Sequence, residues 1–382
     1  MSSTIFFNKP YLTGKEVHYL YQAVFSGKIS GDGIFTKKCH DFFEKKYGFK
    51  KTLLTTSCTD ALEMAAILLN IKEGDEVIAP SYTFVSTVNA FVLRGAKIIF
   101  VDSESDHPNM DVNKIEALIT SKTKVIVPVH YAGHACDMDK IKELADKHGL
   151  FVVEDAAQAI DSFYINKDGK KIPLGSIGHL AAFSFHETKN IISGEGGMLV
   201  INDEKFIERA EIIREKGTNR SKFFRGEIDK YGWVDIGSSF LPSDIIAAFL
   251  YAQLEHLDVI QAKRNQIWET YFSGLKELQE KCKLKLPQIK KHSTNNAHMF
   301  YLVCNDLNER TALIEKLKKE NIYAVFHYLS LHKSPYYQNG YEGPELHNSD
   351  KFADCLLRLP FYYELTKDDQ QRIMNEIINF YA

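Results

Sequence analysis

Between residues 51 and 201, short apolar runs alternate with amphipathic stretches. The runs TLLTT, EVIAP, AKIIFVD, KVIVPVH and LFVVED are separated by segments with helical spacing that open near Asp60, Thr83, Asp111 and Asp137. Strand then helix, repeated at this rhythm, predicts βαβ units around a mostly parallel central sheet with helices on both faces, an α/β fold. After Asp155 the rhythm changes. Polar residues 166–171 form a predicted hairpin tip, HLAAFSF and GGMLVIN read as two further strands, and residues 203–216 as a helix. Upstream, residues 13–26 carry a Thr13/Glu16 capping box and end at Gly27, which predicts an opening helix. A long helix over residues 243–257, continued through 261–275, leads out of the first unit. From Cys282 the pattern is strand, helix, strand, which suits a smaller α+β domain. The expected division is a large domain at 1–257, including the N-terminal segment, and a small domain at 258–382.

Composition narrows the functional classes. The 382 residues are 45% hydrophobic and 25% charged with a formal net charge of −3, the proportions of a folded protein without a polyanion-binding tail. No nucleic-acid partner is expected. The six cysteines form no CxxC pair, so neither a disulfide framework nor a zinc ribbon is indicated, and a reducing cytoplasm fits best. The first ten residues lack a basic segment followed by an apolar one, and no apolar run reaches the roughly 18 residues of a membrane span. Secretion and membrane insertion are therefore not expected.

In an open α/β sheet, ligands gather at the carboxyl ends of the strands, so the polar residues just after each apolar run are the candidates for chemistry. Four such points stand out. Ser57, Cys58 and Thr59 lie where a strand gives way to a helix, a junction whose free N–H groups and dipole attract an anion. Plain helix capping is the commoner use of such residues. Asp155 ends the run LFVVED, where a carboxylate needs a cation or strong donor, and Gln158 follows. Helix capping is again the alternative. Lys189 lies in FSFHETKNIISGEGG, between apolar strands rather than on a helix face, and suits a Schiff-base amine whose basicity is lowered by desolvation. Ser184, at the end of the same strand, is within reach of a phosphate or of a neighbouring carbonyl. Phe84 follows EVIAP and offers either a stacking face for a planar heterocycle or ordinary core packing. His130 and His134 are four apart in HYAGH, but Gly133 argues for a loop and no third ligand is evident, so no metal site is expected.

An anion-binding helix start, an aromatic face, an Asp at a strand end and a Lys further along one α/β unit together meet the needs of pyridoxal phosphate (PLP). The phosphate requires donors, the ring a face, the pyridine nitrogen a carboxylate, and the aldehyde an amine. At this point the chain resembles the fold type I PLP enzymes, and within them the DegT-type nucleotide-sugar aminotransferases, over nearly its whole length. The resemblance is carried by SGKISGDG, SCTDAL, GDEVIAPSYTFVST, VEDAAQA, FSFHETKN with GEGG, SDIIAAFLYAQLE and FHYLSLHKSP. It implies that Lys189 is the Schiff-base lysine, that Asp155 pairs with the pyridine nitrogen, and that Gln158 lies near the ring hydroxyl. It also implies Phe84 on the ring face and Ser57, Cys58, Thr59 and Ser184 around the phosphate.

Most relatives read NYR before the SD of the helix motif, with the Asn reaching the partner subunit's phosphate. This chain reads GSSFLPSD, with Ser239 in the Asn position. That departure, with EKGTNRSKFFRG, WVDIG and VFHYLSLH, is similar to the dTDP-4-amino-4,6-dideoxygalactose transaminases of enterobacterial common antigen synthesis. The implied substrates are dTDP-4-keto-6-deoxyglucose and L-glutamate, used by a homodimer whose active sites are shared between subunits. Arg220 and His327 are the expected substrate contacts. The alternatives are amination giving the gluco epimer or at C3, a dehydratase on the same fold, against which Lys189 argues, and a PLP-binding regulator without turnover.

Overall fold

The computed structural model describes residues 3–338 and 340–382; Met1 and Ser2 of the N-terminal stretch read above lie outside them. The central sheet contains β1 (Lys51–Thr55), β2 (Glu76–Pro80), β3 (Lys97–Val101), β4 (Thr123–Ile126) and β5 (Phe151–Asp155). The small hairpin of β6 (Phe163–Ile165) and β7 (Lys171–Pro173) comes next, and then β8 (Leu180–Ser184) and β9 (Gly197–Ile201) complete the sheet. Its seven strands run in the order β1-β9-β8-β5-β4-β2-β3. Every pairing is parallel except those of β9, which runs against both β1 and β8.

Around the sheet stand α1 (Glu16–Phe25), α2 (Ile34–Tyr47), α3 (Cys58–Leu68), α4 (Ser86–Val92), α5 (Met138–His148), α6 (Ile207–Arg214), the short α7 (Arg220–Phe224) and α8 (Asp244–Leu254). Successive strand side chains point to opposite faces, and both faces are apolar. Leu54, Ile78, Ile126 and Val152 pack with residues of α2, α5 and α8, whereas Leu53, Val77, Val125 and Val153 pack with α3, α4 and α6. Burying each such side chain contributes about 1.5–3 kcal/mol, which fixes the register of every strand and with it the position of the residue at its carboxyl end. The opening helix forms as expected: the Glu16 carboxylate accepts from the N–H groups of Thr13 (2.7 Å) and Gly14 (2.9 Å), and Gly27, at φ +74°, ends it.

Three predicted helices differ. The segment after Asp111 forms only two 3₁₀ turns, over Val112–Lys114 and Glu116–Leu118. Its apolar residues Val112, Ile115 and Leu118 recur every three positions, the period of the tighter helix. Residues 203–216 likewise begin with a 3₁₀ turn before α6. The long connecting helix breaks at Glu255 and His256, between α8 and α9 (Leu257–Glu280).

Beyond it come β10 (Tyr301–Val303), α10 (Leu307–Lys319), β11 (Val325–Phe326), α11 (His347–Cys355), β12 (Leu356–Arg358) and α12 (Lys367–Tyr381). Their antiparallel sheet has β12 in the centre. Trp268, Tyr271 and Leu275 of α9 join Leu313, Leu317, Ile373 and Ile377 in a separate core that also takes in Ile5. Ile5 is stitched there by backbone hydrogen bonds to Asn321 (2.9 Å) and Tyr323 (3.0 Å). The segment at the start of the chain thus crosses to the C-terminal layer before the large unit begins. Among the described residues no helix is long and apolar enough to cross a membrane.

Candidate active site

The carboxyl ends of β1, β2, β5 and β8 open into a cleft of about 1200 Å³ whose far wall is the C-terminal layer. Ser57, Cys58, Thr59, Phe84, Asp155, Gln158, Ser184, Lys189 and His327 all line it.

At one end is the start of α3. Ser57 caps the helix, its Oγ accepting from the N–H of Asp60 at 3.1 Å, so capping is what this side chain does. The neighbouring hydroxyl of Thr59 donates to Ser86 Oγ at 2.8 Å, and both residues face the cleft. Gly197, the first residue of the reversed strand β9, makes this turn possible. A Cβ there would stand 2.3 Å from the Ser57 carbonyl carbon and 2.4 Å from the Cys58 nitrogen, so only glycine lets the strand pass beneath the anion-binding turn. Ser184 pairs with Gly197 across the ladder and faces the same space.

Asp155 is 6% exposed and keeps two local donors: Thr87 Oγ1 at 2.6 Å and the Ala157 N–H at 3.1 Å. Thr87, on α4, was not singled out by sequence because spacing alone does not say which face of α4 turns toward β5. Gln158 accepts from the Ala132 N–H at 2.6 Å and donates to the Tyr328 hydroxyl at 3.0 Å. Phe84 is 53% exposed, with its ring centroid 6.0 Å from that of Tyr328.

Lys189 lies in the loop joining the antiparallel pair β8 and β9, where its N–H donates to His186 O at 2.9 Å. Its neighbour Asn190 anchors the loop, donating to Gln261 Oε1 and to the Asn296 carbonyl, both at 2.8 Å, and pairing with His298 Nδ1 at 2.7 Å. Among the described residues the Lys189 ammonium makes no hydrogen bond or ion pair. Loss of solvent lowers its pKa, Arg358 pushes the same way, and the nearby Cys58 and Asp155 pull only partly against them. A lysine with lowered basicity is the form able to attack an aldehyde.

His327 is buried, its Nδ1 2.6 Å from the Tyr131 hydroxyl and its carbonyl accepting from Tyr82 at 2.6 Å. Burial holds its pKa well below the ordinary histidine value. The structure does not bring the other two expected residues into the cleft of the same chain. Arg220 sits on α7, 3.8 Å from Glu215 and 4.9 Å above the Phe224 ring. Ser239 is exposed, bridged through its backbone to Glu215; the next residue, Phe240, accepts the Thr56 N–H at 3.0 Å. Both lie on the stretch after α6 that runs over the outside of β1. Of the two histidines weighed for metal binding, His130 meets Glu154 at 2.9 Å, and His134 meets His107 at 3.1 Å and Asn295 at 3.3 Å.

These residues fit PLP in kind and in arrangement. An anion-binding helix start with hydroxyls facing the cleft, a carboxylate at a strand end and a poorly basic amine without a hydrogen-bond partner among the described residues share one cleft, and Gly197 leaves the turn open.

Comparison with known proteins agrees. Residues 10–378 match the DegT/DnrJ/EryC1/StrS aminotransferase family. The spore coat polysaccharide biosynthesis protein SpsC of Bacillus subtilis is 32% identical over 97% of this chain and 95% of its own. The GDP-perosamine synthase of Escherichia coli O157:H7 is also 32% identical, over 98% of each chain. Among solved structures, the PLP form of Spr1654 from Streptococcus pneumoniae superposes with a TM-score of 0.90 at 26% identity, covering 99% of this chain and 98% of that one. The aminotransferase from Psychrobacter cryohalolentis has the same TM-score and identity, covering 100% and 98%. The chain belongs to the DegT/DnrJ/EryC1/StrS family and is a PLP-dependent sugar aminotransferase of the fold type I class.

Proposed function

We propose that this enzyme moves an amino group from L-glutamate to C4 of dTDP-4-keto-6-deoxy-D-glucose, giving dTDP-4-amino-4,6-dideoxy-D-galactose for a cell-surface polysaccharide. Enterobacterial common antigen or the O-antigen of lipopolysaccharide would be its destination. The observation that carries the reading is GSSFLPSD in place of the NYR pattern, with Ser239 next to the residue that holds the anion-binding turn. On this reading the enzyme works in the cytoplasm as a homodimer. Ser239 and Arg220, exposed beside the cleft of their own chain, then serve the partner's site, and His327 contacts the sugar.

PLP, when bound, supplies an electron sink for the carbanion formed beside the transferred nitrogen. The chain does the rest. The ε-amine of Lys189, when free, would move a proton at the substrate carbon, a task for which its lowered basicity suits it. Asp155, held in place by Thr87 and the Ala157 N–H, presents a carboxylate to the ring nitrogen. The start of α3 with Thr59, Ser86 and Ser184 binds the phosphate. Residues 1–257 would carry these groups, and 258–382 would close the cleft over the donor and the sugar.

A second reading has a GDP-linked sugar as acceptor, favoured by the likeness to a GDP-perosamine synthase. Purified enzyme is incubated with L-glutamate and each of the two keto sugars; 2-oxoglutarate is quantified and the product's C4 configuration read by NMR. The dTDP sugar should react in preference and yield the galacto product. A gluco product, amination at C3 or preference for the GDP sugar would replace the reading.

A further inference from the structure

His298, in the segment that leads into β10, lines the same cleft as Lys189 and is 7% exposed. Its ring is held by the residue that follows Lys189. The Asn190 Nδ2 donates to the Asn296 carbonyl, which can only accept, so the Asn190 amide has a single orientation. Its Oδ1 is therefore the atom that lies 2.7 Å from His298 Nδ1. An amide oxygen at that distance requires the proton to be on Nδ1. Burial, reinforced by the charges of Lys189, Arg264 and Arg358, holds the ring's pKa well below the ordinary histidine value, so the ring is neutral. Nε2 thus carries a bare lone pair. Among the described residues it makes no hydrogen bond, and it is not sealed from the cleft.

The backbone beneath is built for this placement. Ala297 has φ +50°, a left-handed conformation that is costly for a residue with a Cβ. Arg264 holds it there, donating to the carbonyls of Ala297 and His298 at 3.0 and 2.6 Å. Asn296 Nδ2 pins the same stretch to the carbonyls of Gln158 and Ile160, at 2.8 and 2.7 Å. A bare lone pair repels carboxylate and phosphate oxygens and needs a donor, and the cleft's donor without a partner among the described residues is the Lys189 amine. We propose that His298 is a positioning residue for Lys189: its Nε2 accepts an N–H of the free ε-amine and so fixes the direction of the amine's own lone pair. The inference rests on Lys189 being the Schiff-base lysine and adds what aims it.

NMR of protein labelled with ¹⁵N-histidine reads the tautomer in the parent, the His298 signal being the one lost in His298→Asn. Nδ1 should be protonated and Nε2 bare, without change from pH 7 to pH 6. His298→Asn puts an amide nitrogen in the place of Nδ1, preserving the bond to Asn190, and leaves nothing at Nε2. His298→Gln does the opposite, offering an amide oxygen near the place of Nε2. Capture of PLP by the cofactor-free protein is followed by absorbance, and single turnovers are then run with L-glutamate and with the keto sugar. His298→Asn should slow PLP capture and the saturated single-turnover rates about 3- to 10-fold, the loss of one hydrogen bond, and leave both saturation constants unchanged. His298→Gln should recover part of the rate. A protonated Nε2 in the parent, parental rates in His298→Asn, or a His298→Gln variant as slow as His298→Asn would overturn the proposal. So would a raised sugar saturation constant with unchanged PLP capture, which would give the lone pair to a sugar hydroxyl instead. A parent enzyme in which borohydride fails to fix PLP to Lys189 would sink the lysine's own assignment before any His298 variant is made.

Discussion

Glu154 and Asp155 are consecutive residues at the end of β5, pointing to opposite faces, and they are treated in opposite ways. The Glu154 carboxylate is sealed behind the sheet, where it meets His130 and accepts from the N–H groups of Gly175 at 2.8 Å, Ile177 at 2.8 Å and Gly178 at 2.5 Å. Burial pushes its pKa up, but the histidine and the N–H donors outweigh that and hold it below the ordinary value. Asp155 looks into the cleft with only two local donors, near Lys189, whose ammonium has no hydrogen-bond or ion-pair partner among the described residues. The rear region has its polar groups satisfied and serves the fold. The front leaves them open for a ligand, at a cost in stability that function repays.

The comparison breaks most sharply at Lys189. Lys189→Ala should lower transamination by at least roughly 10⁴-fold and abolish fixation of the cofactor by borohydride, without lowering the urea unfolding midpoint of the cofactor-free protein. A drop in that midpoint would show that the amine has a structural partner. Glu154→Gln should do the reverse. Removing the charge opposite His130 and weakening three N–H contacts costs about 3 kcal/mol in urea unfolding, and the fraction that stays folded should retain its turnover.

Acid sharpens the contrast more gently. Burial pushes His40 down to about 3 and His134 down to about 4, and His40 is held neutral as acceptor of the Leu54 N–H at 3.0 Å. Each of these folded-state values lies below the ordinary histidine value. Unfolded chains therefore take up the extra protons, and stability that is complete above about pH 6.5 is lost as pH falls toward the folded-state values. Each group contributes up to about 1.4 kcal/mol per pH unit in that window. His40→Gln should remove one proton's worth of the slope in urea midpoints measured from pH 7 to pH 5. The smallest effect belongs to Ser239→Ala. If that hydroxyl serves the partner's phosphate, PLP should bind about 3- to 10-fold more weakly, the loss of one hydrogen bond, and only at protein concentrations where the dimer persists.

Much of the front region was legible because strand ends are legible. The runs TLLTT, EVIAP, LFVVED and HLAAFSF each lead, at their end or within four residues of it, to a polar or aromatic residue that lines the cleft (Ser57, Phe84, Asp155 and Ser184), and apolar alternation fixes where they finish. Arg358, the last residue of β12, follows the same rule: a charge inside CLLRLPF, at the end of an apolar strand that opens onto the cleft. Thr87 could not be read this way, since it reaches the site through the orientation of a helix. The helix expected after Asp111 failed for a different reason: a three-residue apolar period mimics an amphipathic helix over so short a stretch.

The absence of a side chain at position 197 also limits how this pocket could be redesigned. The backbone of the turn rests directly on that residue, with 2.3 Å between a hypothetical methyl group and the carbonyl carbon of Ser57. The floor therefore has no adjustable part. Any remodelling for a bulkier or differently charged anion has to proceed from the walls, through Thr59, Ser86 or Ser184.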